Sequence, residues 1–248
     1  MLLVRPLNFA VVDASETAIA PALNARNDEA GLVWQTDAAA PYAVLDMFGK
    51  TYDTVALIGC TNAGNEINIR TGTTEDGTGR FYQAVSNTNQ PVGSTKKFIA
   101  KLPQMRGDRY VRIDLPDASD SFTAQRIVVG KALDMNALAG VEYGAEQTFV
   151  DQSIAYSGAG WESFEELPVL MQWKVSISFV NDAVWRESWV PFFNQVGKHK
   201  GVLFVPDADS PQTWQNDAIF GRIRNEASAK VVGYDARTIE IIVRSLSA

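Results

Sequence analysis

The sequence predicts a mainly β protein made of two β-sandwich domains. Three segments of the first half alternate apolar and polar residues with a period of two, which is typical of strands: "YAVLDMF" (42–48), "EINIRTG" (66–72) and "RYVRIDL" (109–115). Turn-rich segments separate them, and helical periodicity is almost absent before residue 180. The second half begins with another long alternating segment, "VLMQWKVSISF" (169–179). Many short strands divided by turns favour sandwiches or barrels.

In the first half, two strands have assignable faces. The run "TVALIGCT" (54–61) is almost continuously apolar, so we expect both of its faces to be covered. In "EINIRTG", Ile67 and Ile69 are expected to point inward and Asn68 and Arg70 outward. Further strands are predicted in "KKFIAKL" (96–102), which should end before "PQMRG", and in "AQRIVVGKAL" (124–133).

In the second half, the strand at 169–179 should place Trp173 and its alternate neighbours from Val169 to Phe179 on one face. Aromatic residues then recur at helical spacing near 182–197, where Asn181 or Asp182 could cap a helix that Gly197 ends. Pro191 inside this segment indicates either one kinked helix or two short ones. Strands "GVLFVPD" (201–207), "DAIFGRIRNE" (217–226) and "ARTIEIIVRSL" (236–246) follow. The predicted domains are 1–132 and 133–248.

Composition excludes several classes of function. The formal net charge of −7 argues against nucleic-acid binding, and no apolar run is long enough to insert into a membrane. Cys60 and His199 are the only residues of their kinds, which rules out an intrachain disulfide and a Cys/His zinc site within one chain. His199 lies in "GKHKG", which is typical of a solvated loop end. A single free cysteine suits assembly in a reducing cytoplasm.

No catalytic constellation stands out. Carboxylates in "GWESFEELP" (Glu162, Glu165, Glu166) and in "VPDADSP" (Asp207, Asp209) have no definable separation, so we expect no enzyme activity. The segments "TNAGNEIN" and "TTEDGTGR" offer oxygen ligands for calcium, but turn chemistry explains their residues equally well and their spacing is not that of a calcium loop. We therefore predict neither a metal nor a cofactor.

Tryptophan rings can stack on sugars, so each tryptophan is a candidate ligand contact. Trp173, Trp185 and Trp189 follow strand or helix periodicity and are expected in the core. Trp34, Trp161 and Trp214 lie in loop-like sequence, where they could bind a glycan or plug an end of a sandwich. With the polar turns, the candidate glycan or partner loop consists of Trp34, Asn62, Asn65, Asp76, Arg80, Trp161 and Trp214.

The segment "GDRYVRIDL" (107–115) raises a separate question. Its charged residues flank a thin apolar line, so they could form a ligand-reading surface or only the solvated face of a sandwich. The sequence favours the second interpretation, in which the polar side faces water or a neighbouring subunit.

Residues 9–132 resemble the galactose-binding-like (discoidin-type) jelly roll. The resemblance rests on "ASETAIAPALNARNDEAGLVWQT", on "YAVLDMFGKTYDTVALIGCTNAGNEINIRTGTTEDG" and on "DRYVRIDLPDASDSFTAQRIVVGKAL". It implies a jelly-roll fold whose members bind glycans or lipids through loops at one end, or join subunits. It carries over no ligand residue.

The second half resembles the minor tail and baseplate (distal-tail-like) proteins of tailed bacteriophages. The pattern is "SGAGWES", a long strand, an aromatic helix, "KHKGVLFVPDADSP" and "AIFGRI". It implies a tail-tube-like sandwich with one flanking helix, and a structural role in the virion tail, assembled in the host cytoplasm as a homo-oligomeric ring between tube, hub and fibre proteins. The jelly roll comes first here, which departs from the distal tail proteins.

A ring needs subunit contacts, and the sequence suggests where. Edge strands "AIFGRIR" and "TIEIIVR" would carry arginines that pair with acidic loops of the next copy; the candidate interface is Arg222, Arg224, Arg237, Arg244, Glu162 and Glu165. The alternative function is a glycan-binding module for host-surface recognition.

Overall fold

The structure is a computed structural model that describes residues 1–29, 31–75, 81–88, 96–134, 141–158, 161–226 and 228–246. The chain divides into two compact units. The N-unit consists of Val4–Ala132 and Asp209–Ala218. The C-unit consists of Met1–Leu3, Leu133–Ala208 and Ile219–Ala248. Strands dominate both units, so the mainly β class is confirmed.

The strands from the first half of the chain are β1 (Leu2–Pro6), β2 (Ala10–Ala14), β3 (Trp34–Gln35), β4 (Tyr42–Asp46), β5 (Tyr52–Cys60), β6 (Glu66–Gly72), β7 (Phe81–Ser86), β8 (Lys96–Arg106), β9 (Tyr110–Asp114), β10 (Thr123–Ala124) and β11 (Arg126–Asp134). A 3₁₀ helix covers Ala22–Arg26. In the N-unit, one antiparallel sheet has the order β2-β4-β9-β6-β7. A second joins β8, β5 and β11, and β3 pairs with β10.

The N-unit core lies between these two sheets. Leu45, Ile69 and Ile113 belong to the same buried cluster as Leu57 and Val129 of the other sheet. Because side chains alternate along a strand, the residues between them on the five-stranded sheet point outward. All nine residues of β5 are buried, as its continuous apolar run predicts.

Strand β8 is longer than the sequence predicts. It continues through Pro103 to Arg106 instead of ending at Leu102. Proline has no backbone N–H to donate to a neighbouring strand, so within a sheet it is found mainly on edge strands. Strand β8 pairs only with β5 among the described strands, and Pro103 is exposed, so the ladder tolerates it.

The strands of the C-unit are β12 (Glu142–Val150), β13 (Ile154–Gly158), β14 (Trp161–Glu165), β15 (Leu170–Val180), β16 (Gly201–Val205), β17 (Ile219–Ile223), β18 (Ser228–Gly233) and β19 (Ala236–Ser245). The main antiparallel order is β12-β15-β19-β17-β16, and β18 also pairs with β19. Strands β13 and β14 form a separate hairpin.

A helix covers one face of this sheet. It consists of α1 (Asp182–Val184), a π turn (Trp185–Trp189) and α2 (Val190–Val196), which we call together the aromatic helix. Its Trp189 and Val196 are buried in one cluster with Val175, Ile241 and Val243 of the sheet. The predicted core role of Trp173 and Trp189 is confirmed, whereas Trp185 is only partly buried.

The ends of the aromatic helix are those that the sequence predicts. The Asn181 side chain caps the first turn by accepting a hydrogen bond from the Val184 N–H over 2.8 Å. Gly197 ends the helix at φ +56°, a conformation that favours glycine. The helix is continuous, and its π turn directly precedes the segment that holds Pro191, where the missing N–H disturbs the regular bonding.

The alternation predicted for 169–179 fails at both ends. Val169 lies outside β15 and is exposed. Phe179 has φ +61° at a register shift between β15 and β19, so its side chain is exposed and Val180 is buried instead. A bulge inserts one residue and reverses the faces beyond it.

The two units divide between residues 132 and 133, where the sequence predicts the boundary, but two short segments belong to the opposite unit. Met1–Leu3 belongs to the C-unit and Asp209–Ala218 to the N-unit. The second segment contains helix α3 (Pro211–Asp217), where the sequence predicts only loop. Helix α3 packs against β8, which explains its assignment to the N-unit.

Candidate ligand-binding face

The outer face of the five-stranded sheet carries a cluster of polar and aromatic side chains. Strand β9 lies between β4 and β6, with Val111 and Ile113 buried on its inner face. Arg112 and Asp114 therefore point outward. The register places Arg112 beside Arg70 and Asp114 beside both Tyr42 and Asn68. Strand β7 adds Tyr82 next to Arg70. We call these residues the sheet face: Tyr42, Asn68, Arg70, Tyr82, Arg112 and Asp114.

One carboxylate lies between two guanidinium groups at the centre of the sheet face. Asp114 Oδ1 accepts a hydrogen bond from Arg112 Nε over 2.7 Å, and Asp114 Oδ2 lies 3.2 Å from Arg70 Nε. The trio has two positive groups and one negative group, so it carries a positive excess within an acidic chain. The Arg70 side chain is 39% exposed and that of Asp114 only 17%, so the arginines are the more accessible groups.

The two tyrosines are fixed by hydrogen bonds. Asp13 Oδ2 accepts the Tyr42 hydroxyl hydrogen over 2.7 Å, and this bond, with burial, raises the pKa of Tyr42 above its usual value. The Arg112 guanidinium lies 4.3 Å from the centre of the Tyr42 ring, which is cation–π distance. Tyr82 donates its hydroxyl hydrogen to Asn68 Oδ1 over 2.5 Å. Because Tyr82 is 57% exposed, its ring is available to a ligand.

The sheet face has unused hydrogen-bonding capacity. Arg70 and Arg112 each use Nε on Asp114, and no bond to a described residue occupies their terminal amino groups. A guanidinium offers five N–H donors in one plane, so each arginine has several donors that no described residue occupies. The arrangement suits a flat, hydroxyl-rich ligand that lies across the strands.

Two members of the predicted binding loop bind other parts of the N-unit. Asn62, at φ +55°, donates from Nδ2 to the Ser121 oxygens, Oγ at 3.0 Å and the carbonyl at 3.2 Å. Asn65 Oδ1 accepts from Lys96 Nζ over 2.7 Å. Both residues are exposed, and their amides hold the loop in place. Asp76 and Arg80 lie outside the described residues.

Trp34 and Trp214 are both buried, which argues against the alternative in which they contact a glycan. Trp34 lies in β3, is fully buried, packs edge-to-face on Phe122 at 5.0 Å and donates from Nε1 to the Ser15 carbonyl over 2.8 Å. Trp214 lies on α3 and is 6% exposed. Neither ring can stack on a ligand while it is buried. Trp161 begins β14, and its side chain lies outside the described part of the structure.

The prediction that "AIFGRIR" and "TIEIIVR" form edge strands at a subunit interface is wrong. Strands β17 and β19 are internal, since β17 pairs with β16 and β19, and β19 pairs with β15, β17 and β18. They therefore offer no open edge to a neighbour.

The charged residues of that interface have other surroundings. Arg237 Nε donates to Asp182 Oδ1 over 2.6 Å, and Arg244 Nε donates to Gln172 Oε1 over 2.9 Å. Arg222 is half-buried on β17, and Arg224 is exposed just after that strand. Glu162 and Glu165 are exposed on β14 instead of in a loop, and Glu165 Oε2 accepts from the Tyr156 hydroxyl over 2.9 Å.

The described residues include neither a candidate metal site nor a membrane-spanning helix. No group of three or more His, Cys, Asp or Glu in that part of the chain could hold a metal ion. Within the same residues, no helix is long and apolar enough to cross a membrane. The absence of enzyme activity stays a prediction.

The sheet face was partly visible in the sequence. The alternation in β6 and β9 assigns Asn68, Arg70 and Arg112 to the polar side. The pairing of β9 with both β4 and β6 is a long-range property, and only this pairing unites Tyr42, Asp114 and Arg70. Tyr82 had no distinguishing sequence signal.

Comparison with known proteins gives distant structural likenesses. No protein-family model matches the chain. No curated protein matches it either. CBM32-1 from a family 31 glycoside hydrolase of Clostridium perfringens is 14% identical, with a TM-score of 0.39 over 51% of this chain and 96% of that chain. The lectin domain of lectinolysin complexed with Lewis b antigen is 16% identical, with a TM-score of 0.39 over 51% and 94%.

A third similar structure is the fucose-binding module SpX-3 of Streptococcus pneumoniae. It is 15% identical to this chain, with a TM-score of 0.38 over 50% of this chain and 94% of that module. Values in this range do not assign the chain to a family.

Proposed function

We propose that the N-unit is a carbohydrate-binding module and that the sheet face is its binding site. The observation that carries the proposal is the placement of exposed Tyr82 beside Arg70, which in turn lies beside Arg112. No described residue bonds to the terminal amino groups of these two arginines. A sugar presents hydroxyl groups at its rim and C–H groups on its faces. Planar polar side chains suit the first and an aromatic ring suits the second.

The size of the sheet face indicates the class of sugar. Tyr42 and Tyr82 stand on β4 and β7, which are three strand spacings apart in the order β4-β9-β6-β7. At the usual spacing between strands this is roughly 14 Å, which is longer than one pyranose ring. The site therefore favours an oligosaccharide over a monosaccharide.

Preorganisation supports the same conclusion. Asp114 is held by two arginines, and Arg112 is held by both Asp114 and the Tyr42 ring. Side chains that are already fixed lose little conformational entropy when a ligand binds.

The proposal is tested with the full chain on a panel of neutral and acidic oligosaccharides, followed by calorimetry of the best ligand. We expect Tyr82→Ala and Arg112→Gln each to weaken binding about tenfold or more, the loss of a single good contact. The matched controls are Tyr234→Ala and Arg186→Gln, since both residues are exposed on the C-unit. The proposal would be contradicted if no oligosaccharide of the panel binds, or if the sheet-face variants bind the best ligand as tightly as wild type does.

A structural role in a bacteriophage tail tip remains the second candidate. The feature that favours a role in an assembly is that, among the described strands of the main C-unit sheet, β12 and β18 each have one open edge. In this role the chain would belong to the virion tail, contact tube, hub or fibre proteins, and present the N-unit to host glycans. Fractionation of virions tests it: the chain should co-purify with intact particles at a fixed copy number, and its absence from them contradicts this role.

A further inference from the structure

In the main sheet of the C-unit, where β16 also neighbours β1, two of the described strands pair on one side only. Among the described residues, β12 pairs with β15 alone and β18 pairs with β19 alone. Most residues of both strands are exposed, and neither strand contains proline. An open edge presents unpaired N–H and C=O groups, and proteins commonly protect such edges or use them for pairing.

The directions of the strands make the two edges compatible. Strands β12, β15, β19 and β18 are successively antiparallel. Four is an even number, so β12 and β18 run in opposite directions. If a second copy continues the sheet beyond β18 in the same orientation, its β12 lies antiparallel to β18. Antiparallel pairing is the slightly more stable kind.

The charges of the two edges are complementary. Glu142 and Glu146 are the ionisable residues of β12 other than Tyr143, and Lys230 is the only one of β18. The register through β15 and β19 places these three charged residues on one face of the sheet. A shared sheet would bring Lys230 of one copy beside the glutamates of the next.

The apolar residues of the two edges share the opposite face. Phe149 of β12 is 65% exposed and Val231 of β18 is 61% exposed. The same register places both on the face opposite to Lys230. A continuous sheet would therefore pair opposite charges on one face and bring apolar side chains together on the other.

We propose that this chain associates head to tail with further copies of itself, with β12 of one copy pairing along β18 of the next. Two-fold pairing of like edges is disfavoured, because it would oppose glutamates at a β12–β12 joint and lysines at a β18–β18 joint. A head-to-tail joint repeats, so the product is a closed ring or an open filament. The inference uses only the C-unit and is independent of carbohydrate binding.

Sedimentation velocity of the full chain over a range of concentrations tests the joint. We expect wild type to form species larger than a monomer. Lys230→Glu, and separately Glu142→Lys with Glu146→Lys, should each weaken association about tenfold, because each turns an attractive cross-strand pair into a repulsive one.

Mixing the two variants is the decisive experiment. In the mixture, each β18 meets a β12 of opposite charge, so association should return to the wild-type level. Glu187→Lys and Lys200→Glu are matched controls, because both residues are exposed outside the two edges, and they should associate like wild type.

Several results would overturn the proposal. The proposal is wrong if the wild-type chain stays monomeric at all concentrations. Unchanged association of Lys230→Glu shows that β18 is not in the joint. A mixture that stays dissociated, or controls that dissociate as strongly as the edge variants, shows that edge complementarity is not the cause.

Discussion

Lys97 donates a hydrogen bond from Nζ to the main-chain oxygen of Ala218 over 2.7 Å, which joins β8 to the residue that follows helix α3. Burial of this ammonium group lowers the pKa of Lys97 to about 8, although the nearby Asp217 charge acts in the opposite direction. The N-unit therefore contains a lysine whose charge is costly when the chain is folded.

The first prediction is a pH-dependent contribution of Lys97 to stability. The unfolded chain keeps this proton up to a pH near 10.5 and the folded chain only up to about 8. Between these values the unfolded state binds more protons, so the Lys97 contribution to the free energy of unfolding rises with pH. Urea denaturation of wild type and Lys97→Met from pH 7 to 10 measures it. Wild type should gain stability relative to the variant as pH rises, whereas Lys200→Met, a change at an exposed position, should show a constant difference. A constant difference for Lys97→Met contradicts the prediction.

The second prediction concerns the single cysteine. Cys60 is 1% exposed, and burial raises the pKa of its thiol well above the usual value. The thiolate is the reactive form, so the folded protein should react with a disulfide reagent only when it unfolds. The labelling rate should be slow in buffer and should rise with urea in parallel with unfolding. Rapid stoichiometric labelling of the native protein would show that Cys60 is accessible.

The third prediction is that Gly221→Ala destabilises the C-unit. A Cβ atom at Gly221 of β17 would collide with the Arg244 carbonyl oxygen of β19, which is backbone and cannot rotate away. Forcing extra atoms into a packed region usually costs about 1–3 kcal/mol. Chemical denaturation should show a loss of this order. Gly144→Ala is the control, because a Cβ there has no neighbour within 4 Å, and it should be neutral or slightly stabilising.

The fourth prediction is a loss of stability in acid through Asp182. Hydrogen bonds from Arg237 and then Arg186 lower the pKa of this carboxyl group in the folded state. A lowered pKa stabilises the fold above the usual carboxyl pKa, and the stabilisation is lost as pH falls through the folded value. Asp182→Asn should therefore be less stable than wild type at pH 7 and nearly equal to it in strong acid. Glu187→Gln should change stability little at either pH, and an Asp182→Asn deficit that persists in acid would assign the effect to packing.

The local pattern of the sequence predicts much of the fold. The period of two identifies β6, β9, β15 and β19, and Asn181 and Gly197 mark the ends of the aromatic helix. These features depend on neighbouring residues, so a single sequence reveals them. The predicted inward face of Phe179 is wrong because a bulge reverses the faces of the strand. The helix that holds Trp214 was missed because α3 is too short to show a helical period.

Features that depend on strand order could not be predicted. The sheet face exists because β9 pairs with both β4 and β6. Among the described strands, β12 and β18 have an open edge because β12 pairs with β15 alone and β18 with β19 alone. Each of the four C-unit strands β12, β17, β18 and β19 carries at least one charged residue, so composition does not distinguish an inner strand from an outer one. The position of Tyr82 beside Arg70 likewise follows only from the register.

The assignment of Asp209–Ala218 to the N-unit and of Met1–Leu3 to the C-unit has a practical consequence for cloning. Expression of 4–132 alone would omit helix α3 and remove the carbonyl acceptor of Lys97. A faithful N-unit gene would instead append 209–218 through a designed linker, and a C-unit gene would bridge the gap left by that excision. The chain also passes from one unit to the other after residues 3, 208 and 218. After one protease cut between 132 and 133, each fragment would therefore still contribute to both units, and the two fragments would remain associated until denatured.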